Sequence, residues 1–387
     1  MARIRTPWRG VAALFALNGV TMGTWAGRIP ALVEHWALSE ARLGVLLLLL
    51  GLGSLVAFPF AGVLADRIGA LRVARGAMAL VLVALIAVGQ APGLPWLALA
   101  IFVLGLTHGA TNVTMNAWAG EVERQLARPV MSSFHGMWSL GAGLGALGSF
   151  LAVRADLAPG PHFVLVPLLA TALLGPFVML RWEGAPAPQR KGPVFALPRG
   201  PLILIGLIAL AAGLGEGTVT DWGAVYLADN VGASEARAAL GYAVFSVSMV
   251  AGRLGAGAVI GRLGRGRVAR LGALLAAAGA ALVVWAPGVP VVLAGFLAMG
   301  LGYAALIPLV FSRAADDPVI PPGQAIAAVA TLGYGSMLLG PPFIGLVAHL
   351  SSLRLAFALV ALSTLAIAAL APLLDSRDGR DGRDGRR

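Results

Sequence analysis

The chain has 387 residues, of which 59% are hydrophobic and 12% charged, with a formal net charge of +11 and no cysteine. So much apolar surface excludes a soluble globular domain and marks an integral membrane protein. The missing cysteines exclude a disulfide framework and thiolate metal sites, and basic residues dispersed through short loops exclude nucleic acid as a partner.

In chain order, Met1–Arg9 followed by an apolar run has the outline of a signal peptide. No small-residue cleavage site follows it, so an uncleaved first span is expected over 8–27. Further apolar runs, each about 20 residues or more, are expected at 40–64, 72–91, 94–121, 131–153 and 162–182. A second set is expected at 200–227, 236–261, 268–286, 288–312, 323–349 and 353–374. The first span carries Asn18, Thr21, Trp25 and Arg28 at nearly helical spacing. The second and third are joined by Gly62-Val-Leu-Ala-Asp66-Arg67-Ile-Gly69-Ala-Leu-Arg72-Val-Ala-Arg75. Gly69 lacks a Cβ and lets a helix stop abruptly there.

The fourth span places His108, Asn112 and Asn116 on one face. Such a stripe serves either a polar cavity or hydrogen bonding between helices. Ser133-Phe-His135-Gly-Met-Trp138 opens the fifth span near Glu121 and Glu123, and an interfacial role is expected for His135. Glu183–Pro193 is a proline-rich polar linker, which puts domain limits at 1–182, 183–199 and 200–374. The seventh span holds Glu216 and Asp221, about 140° apart on a regular helix. Glycines at 213, 215, 217 and 223 lead to the expectation of a locally irregular helix there. Charge at membrane depth is costly, which makes both carboxylates functional candidates; Asp221 can also be read as an interfacial cap. Tyr303 and Tyr334, with Gly340-Pro341-Pro342, are expected as cavity wall and hinge, though core packing explains them equally well. The tail 375–387 is a charged repeat expected to be solvated.

The two sets repeat one another. Gly257–Arg270 copies the 62–75 loop in register at an offset of 195, and Ser234-Glu235-Ala236-Arg237 copies Ser39-Glu40-Ala41-Arg42 at the same offset. Trp25 and Trp222 are 197 apart, near the ends of corresponding segments. Gly261 replaces Asp66 in the second copy, so any role of that acid belongs to the first. With the N-terminus inside, twenty-two basic residues fall on the cytoplasmic side and five on the outer side. Both termini are therefore expected in the cytoplasm.

The Gly62–Arg72 pattern and the repeat resemble the major facilitator superfamily. The resemblance implies an all-α membrane fold of roughly twelve spans in two six-helix bundles. It makes Gly62, Asp66, Arg67, Gly69 and Arg72 the gating loop, and it puts the first, fourth and seventh spans around a central cavity. Asn18, Trp25, Asn112, Asn116, Trp222, Tyr303 and Tyr334 are the expected substrate contacts, and Glu216, Asp221 and His108 the expected proton-coupling groups. Asn112-Val-Thr-Met-Asn116, Ser133–Trp138 and Glu216–Trp222 look like a poorly characterised bacterial branch that includes the rhizopine-cluster membrane protein. That branch is more distantly similar to fucose–proton symport, which implies a polyol, sugar or related metabolite as solute.

The competing expectation is efflux of amphipathic drugs or metabolites. The fifth span, with Gly141, Gly143, Gly145 and Gly148 but no proline among them, departs from the signature of proton-coupled exporters. A membrane sensor or an intramembrane enzyme is disfavoured, because the soluble segments are short and no nucleophile–base pair or metal-ligand spacing occurs. No cofactor is expected. The only lysine, Lys191, stands outside any phosphate-binding loop, which leaves an ion gradient as the energy source. A monomer in the bacterial cytoplasmic membrane is expected.

Overall fold

A computed structural model describes residues 6–126, 130–181, 198–320 and 322–375, and among these residues every regular element is a helix. Among the described residues, eleven helices are long and apolar enough to cross a membrane, from Glu40–Ile68 to Leu353–Leu374. The twelfth expected span, Pro7–Gly27, is a 21-residue helix buried along most of its length. It lies outside the eleven because Asn18, Thr21 and Thr24 dilute its hydropathy, and all three side chains are buried within the protein. Helices suit such segments because each satisfies its backbone internally where no water is available. The expected linker (apart from Pro198 and Arg199) and the tail beyond Asp375 lie outside the described residues, as do Arg3, Arg5 and Arg128.

The repeat is also written in the backbone. Gly69 and Gly264, 195 apart, end their helices at φ +94° and +82°. Ala37 and Gly232, again 195 apart, turn the chain at φ +46° and +66° just before the second and eighth spans. Positive φ at these sites breaks the helix so that the next can start at a new angle. The Ser39 hydroxyl accepts the N–H of Arg42 at 3.4 Å, capping the second span. The Glu123 carboxylate accepts the N–H groups of Val130 and Met131, both at 2.7 Å, and so caps the fifth. Asp375, expected to begin a solvated tail, instead accepts the N–H of Gly266 at 2.7 Å and caps the ninth span. An acid is favoured there by the exposed amide groups of a helix start.

The described residues form two compact units, one within Met1–Lys191 together with Asp221–Val247, the other within Gly192–Thr220 together with Ser248–Arg387. The first unit is held by close backbone approach between the first and fifth spans. A methyl group on Gly145 would lie 2.2 Å from the Val20 carbonyl oxygen, and one on Gly19 2.1 Å from that of Trp138. Small residues at such crossings allow van der Waals contact that larger side chains would prevent. In that unit the segment 221–247 is secured by Glu235, ion-paired with Arg28, and by Ser246 against Gly143.

Candidate functional site

Two polar clusters lie within the spans, one in each compact unit. In the first unit Asn18 is fully buried. The Trp138 indole N–H donates to Asn18 Oδ1 at 2.8 Å, and Asn18 Nδ2 lies 3.2 Å from His108 Nδ1. An indole nitrogen can only donate, which fixes the amide with its oxygen toward Trp138. The amide nitrogen then donates to His108 Nδ1, so the ring carries its proton on Nε2 and is neutral in this state. His108 thus joins Asn18 rather than Asn112. Asn116 Nδ2 donates to the Asn112 backbone oxygen at 2.8 Å and to Asn112 Oδ1 at 3.1 Å. The asparagine pair is linked along its own helix and is half-buried.

Trp25 and Trp222 are buried, and the indole N–H of each has no hydrogen-bond partner among the described residues. They lie 197 residues apart, two more than the 195-residue offset of the repeat. Arg28, at the end of the first span, is 1% exposed. Its Nη1 lies 3.0 Å from Glu235 Oε1, and its Nη2 donates to the Leu157 carbonyl. Asp221 is half-buried on the seventh span. The expected irregularity of that span falls elsewhere. Pro201–Val225 is a regular α-helix through all four glycines, and the wide turn is a π-helical segment at Tyr226–Asn230. The glycines serve approach instead of distortion: a methyl group on Gly215 would lie 2.0 Å from the Tyr303 hydroxyl.

In the second unit Glu216 Oε2 stands 3.9 Å from Arg253 Nη2, while its Oε1 is buried without a hydrogen-bond partner among the described residues. Beside it the Tyr303 hydroxyl lies 2.6 Å from Thr364 Oγ1. Thr364 donates its own proton to the Val360 carbonyl at 2.8 Å. Tyr303 is therefore the donor to Thr364, and its oxygen retains acceptor capacity next to Gly215. Arg253 is the residue that sequence reasoning missed. Of the 28 basic residues it is the one assigned to neither side of the membrane, because it lies inside the eighth span. A charge at that depth is a signal in its own right.

The remaining expected contacts are more peripheral. Tyr334 is 41% exposed. The helix Pro322–Leu350 runs without a break through Pro341 and Pro342, so the expected hinge is not a break in this state. His135 meets the Phe15 ring edge-on at 5.3 Å, a packing contact. In the gating loop Gly62 is half-buried, whereas Asp66 and Arg67 are exposed and form no ion pair among the described residues. The bridge they can make between helix ends is absent in this state. Arg72 donates to the Ile68 carbonyl at 3.0 Å, and Arg75 donates to Val178 at 2.9 and 2.6 Å, fastening the third span to the end of the sixth.

The family model of the Major Facilitator Superfamily matches residues 11–318 and 205–386. The uncharacterized transporter y4wD of Sinorhizobium fredii is 51% identical over 94% of this chain and 96% of its own length. An uncharacterized MFS-type transporter of Yersinia pestis is 35% identical over 90% of both chains. Membrane protein MosC of Rhizobium meliloti is 28% identical over 88% of this chain and 83% of its own. Among solved structures, the nucleoside transporter NupG superposes with a TM-score of 0.76 at 14% identity, covering 95% of this chain and all of NupG. At that identity the likeness concerns the fold.

Proposed function

The chain belongs to the major facilitator superfamily of transporters, and from that premise we propose that it is a proton-coupled secondary transporter of a small hydroxyl-rich solute. Two six-span halves, 1–182 and 200–374, alternately expose one site to either side of the bacterial cytoplasmic membrane. Both termini face the cytoplasm, and the monomer is the working unit.

The observation that carries this reading is Glu216 paired with Arg253 at 3.9 Å inside the spans, with one carboxylate oxygen buried without a hydrogen-bond partner among the described residues. A carboxylate there can exchange its ionic partner for a proton when its surroundings change. Asp221 and His108 are the further groups able to carry protons. On the substrate side, Asn112 and Asn116 present amide donors and acceptors. Trp25 and Trp222 present indole N–H groups that have no hydrogen-bond partner among the described residues. Sugar and polyol hydroxyls complement such a set, since each both donates and accepts.

Reconstitution in proteoliposomes tests the reading. Sugars and polyols are screened for accumulation under an imposed inward proton gradient, with and without a proton ionophore. Accumulation of one of them that the ionophore abolishes is the expected result. Uptake that never exceeds equilibration would leave a facilitator without coupling.

A further inference from the structure

A cavity of about 620 Å³ lies between the end of the fifth span and the start of the eighth, apart from both clusters described above. Phe150 and Arg154 reach it from the fifth span, one helical turn apart, and Arg237 and Leu240 reach it from the eighth. Gly232 and Ser234 complete its rim. Both charged groups among the described residues that line it are guanidiniums, and both arginines are exposed. The nearest acid in sequence, Glu235, directs its carboxylate at Arg28, 3.0 Å away, and does not line the cavity. The cavity therefore carries positive charge that no lining carboxylate offsets, at the amino end of a helix that itself favours anions.

The remaining surface identifies the kind of anion. Phe150 and Leu240 give the cavity an apolar lining beside the two guanidiniums. Further along the same helices Leu147, Leu151 and Val247 are exposed, Leu151 at 58% and Val247 at 56%. In a membrane-spanning chain an exposed apolar track of this kind offers a surface to acyl chains. A freely soluble anion would gain nothing from that track, whereas an amphipathic one would bury its tail along it. Arginine is suited to the head group, because its planar fork matches phosphate oxygens with paired hydrogen bonds.

We propose that this cavity is a binding site for an anionic phospholipid, with its phosphate held between Arg154 and Arg237 and one acyl chain laid past Phe150 and Leu240. Bound there, the lipid fastens the fifth span to the eighth.

Thermal unfolding of the full-length protein in a neutral detergent tests this by titration with phosphatidylglycerol, phosphatidylcholine or inorganic phosphate. A saturable rise in Tm is expected with phosphatidylglycerol and not with the other two. Arg154→Gln and Arg237→Gln should each weaken the apparent affinity about fivefold, which corresponds to about 1 kcal/mol per basic side chain at an anionic surface. The double variant should lose the saturable response. Arg354→Gln, an exposed arginine outside the cavity, should leave the response intact. Both cavity arginines are exposed, so the single variants report even if the double variant folds poorly. Wild-type phosphatidylglycerol affinity in both single variants would overturn the site. An equal Tm shift with inorganic phosphate would overturn the lipid and leave a soluble anion, and an equal shift with phosphatidylcholine would overturn the charge selectivity.

Discussion

Arg28 Nη1 stands 3.0 Å from Glu235 Oε1, so the buried end of the first span is ion-paired to the first helical residue of the eighth. Severing a fully buried pair by removing one partner costs about 3–5 kcal/mol, because the other charge is left stranded. The Glu235 side chain is 29% exposed and water shares its charge, which lowers the expected loss for Glu235→Gln to about 2 kcal/mol. Under alternating access the pair must part when the outer side opens. Since the chain has no cysteine, a single Ser246→Cys reports opening without background labelling. Modification by a membrane-impermeant thiol reagent should be several-fold faster in the Glu235→Gln background. Equal rates, alongside the expected stability loss, would make the pair a static fastener.

The two asparagine-bearing clusters should separate by stability. Asn18→Leu leaves the buried His108 Nδ1 and the half-buried Trp138 N–H without this partner, at a cost of about 1–3 kcal/mol. Asn116→Leu removes only bonds within its own helix and should change stability by about 0.5 kcal/mol or less while weakening substrate binding. Thermal melts and equilibrium binding of the transported solute measure both. A large stability loss with intact binding in Asn116→Leu would give that residue a structural role.

Much of the fold was legible before any coordinates, because hydropathy and a repeat at offset 195 mark spans regardless of how they pack. The loop glycine also translated directly, with Gly69 at φ +94° and its counterpart Gly264 at φ +82°. Pairing between spans was not legible. Whether Arg253 faces Glu216 depends on the rotation and tilt of two helices, which period and composition leave open. Arg28 and Glu235 read in sequence only as a charge on the outer side and a residue of the repeat. Glycines between 213 and 223 suggest a locally irregular helix, since sequence does not distinguish a glycine that bends from one that admits a neighbour such as Tyr303.

Asp66→Asn should slow transport while leaving substrate affinity and thermal stability nearly unchanged. In this state Asp66 is exposed and unpaired among the described residues, so the substitution breaks no contact here. Its contribution must arise in another state, when carboxylate and guanidinium bridge helix ends. Stopped-flow uptake and equilibrium binding are the paired measurements. An affinity loss as large as the rate loss would place Asp66 in recognition instead.

Glu216 and Arg253 provide the sharpest test of coupling. At 3.9 Å they meet at the edge of ion-pair contact, and the second carboxylate oxygen has no hydrogen-bond partner among the described residues. Water, substrate or a proton can therefore compete for the acid without dismantling a tight pair. Glu216→Gln keeps the shape and removes the ionisable oxygen, so gradient-driven accumulation should vanish while substrate exchange without a gradient survives. Arg253→Gln strands the carboxylate at depth, favours its protonated form and should also uncouple accumulation. The double variant removes both charges and should regain part of the stability lost in Arg253→Gln, with a coupling energy of about 0.5–3 kcal/mol in a double-mutant cycle. Proteoliposome uptake across a range of pH, together with thermal melts of all four proteins, reads both effects. If Glu216→Gln still accumulates substrate under an imposed proton gradient, the coupling role moves to Asp221. An additive cycle would mean that Arg253 is not the partner through which Glu216 acts.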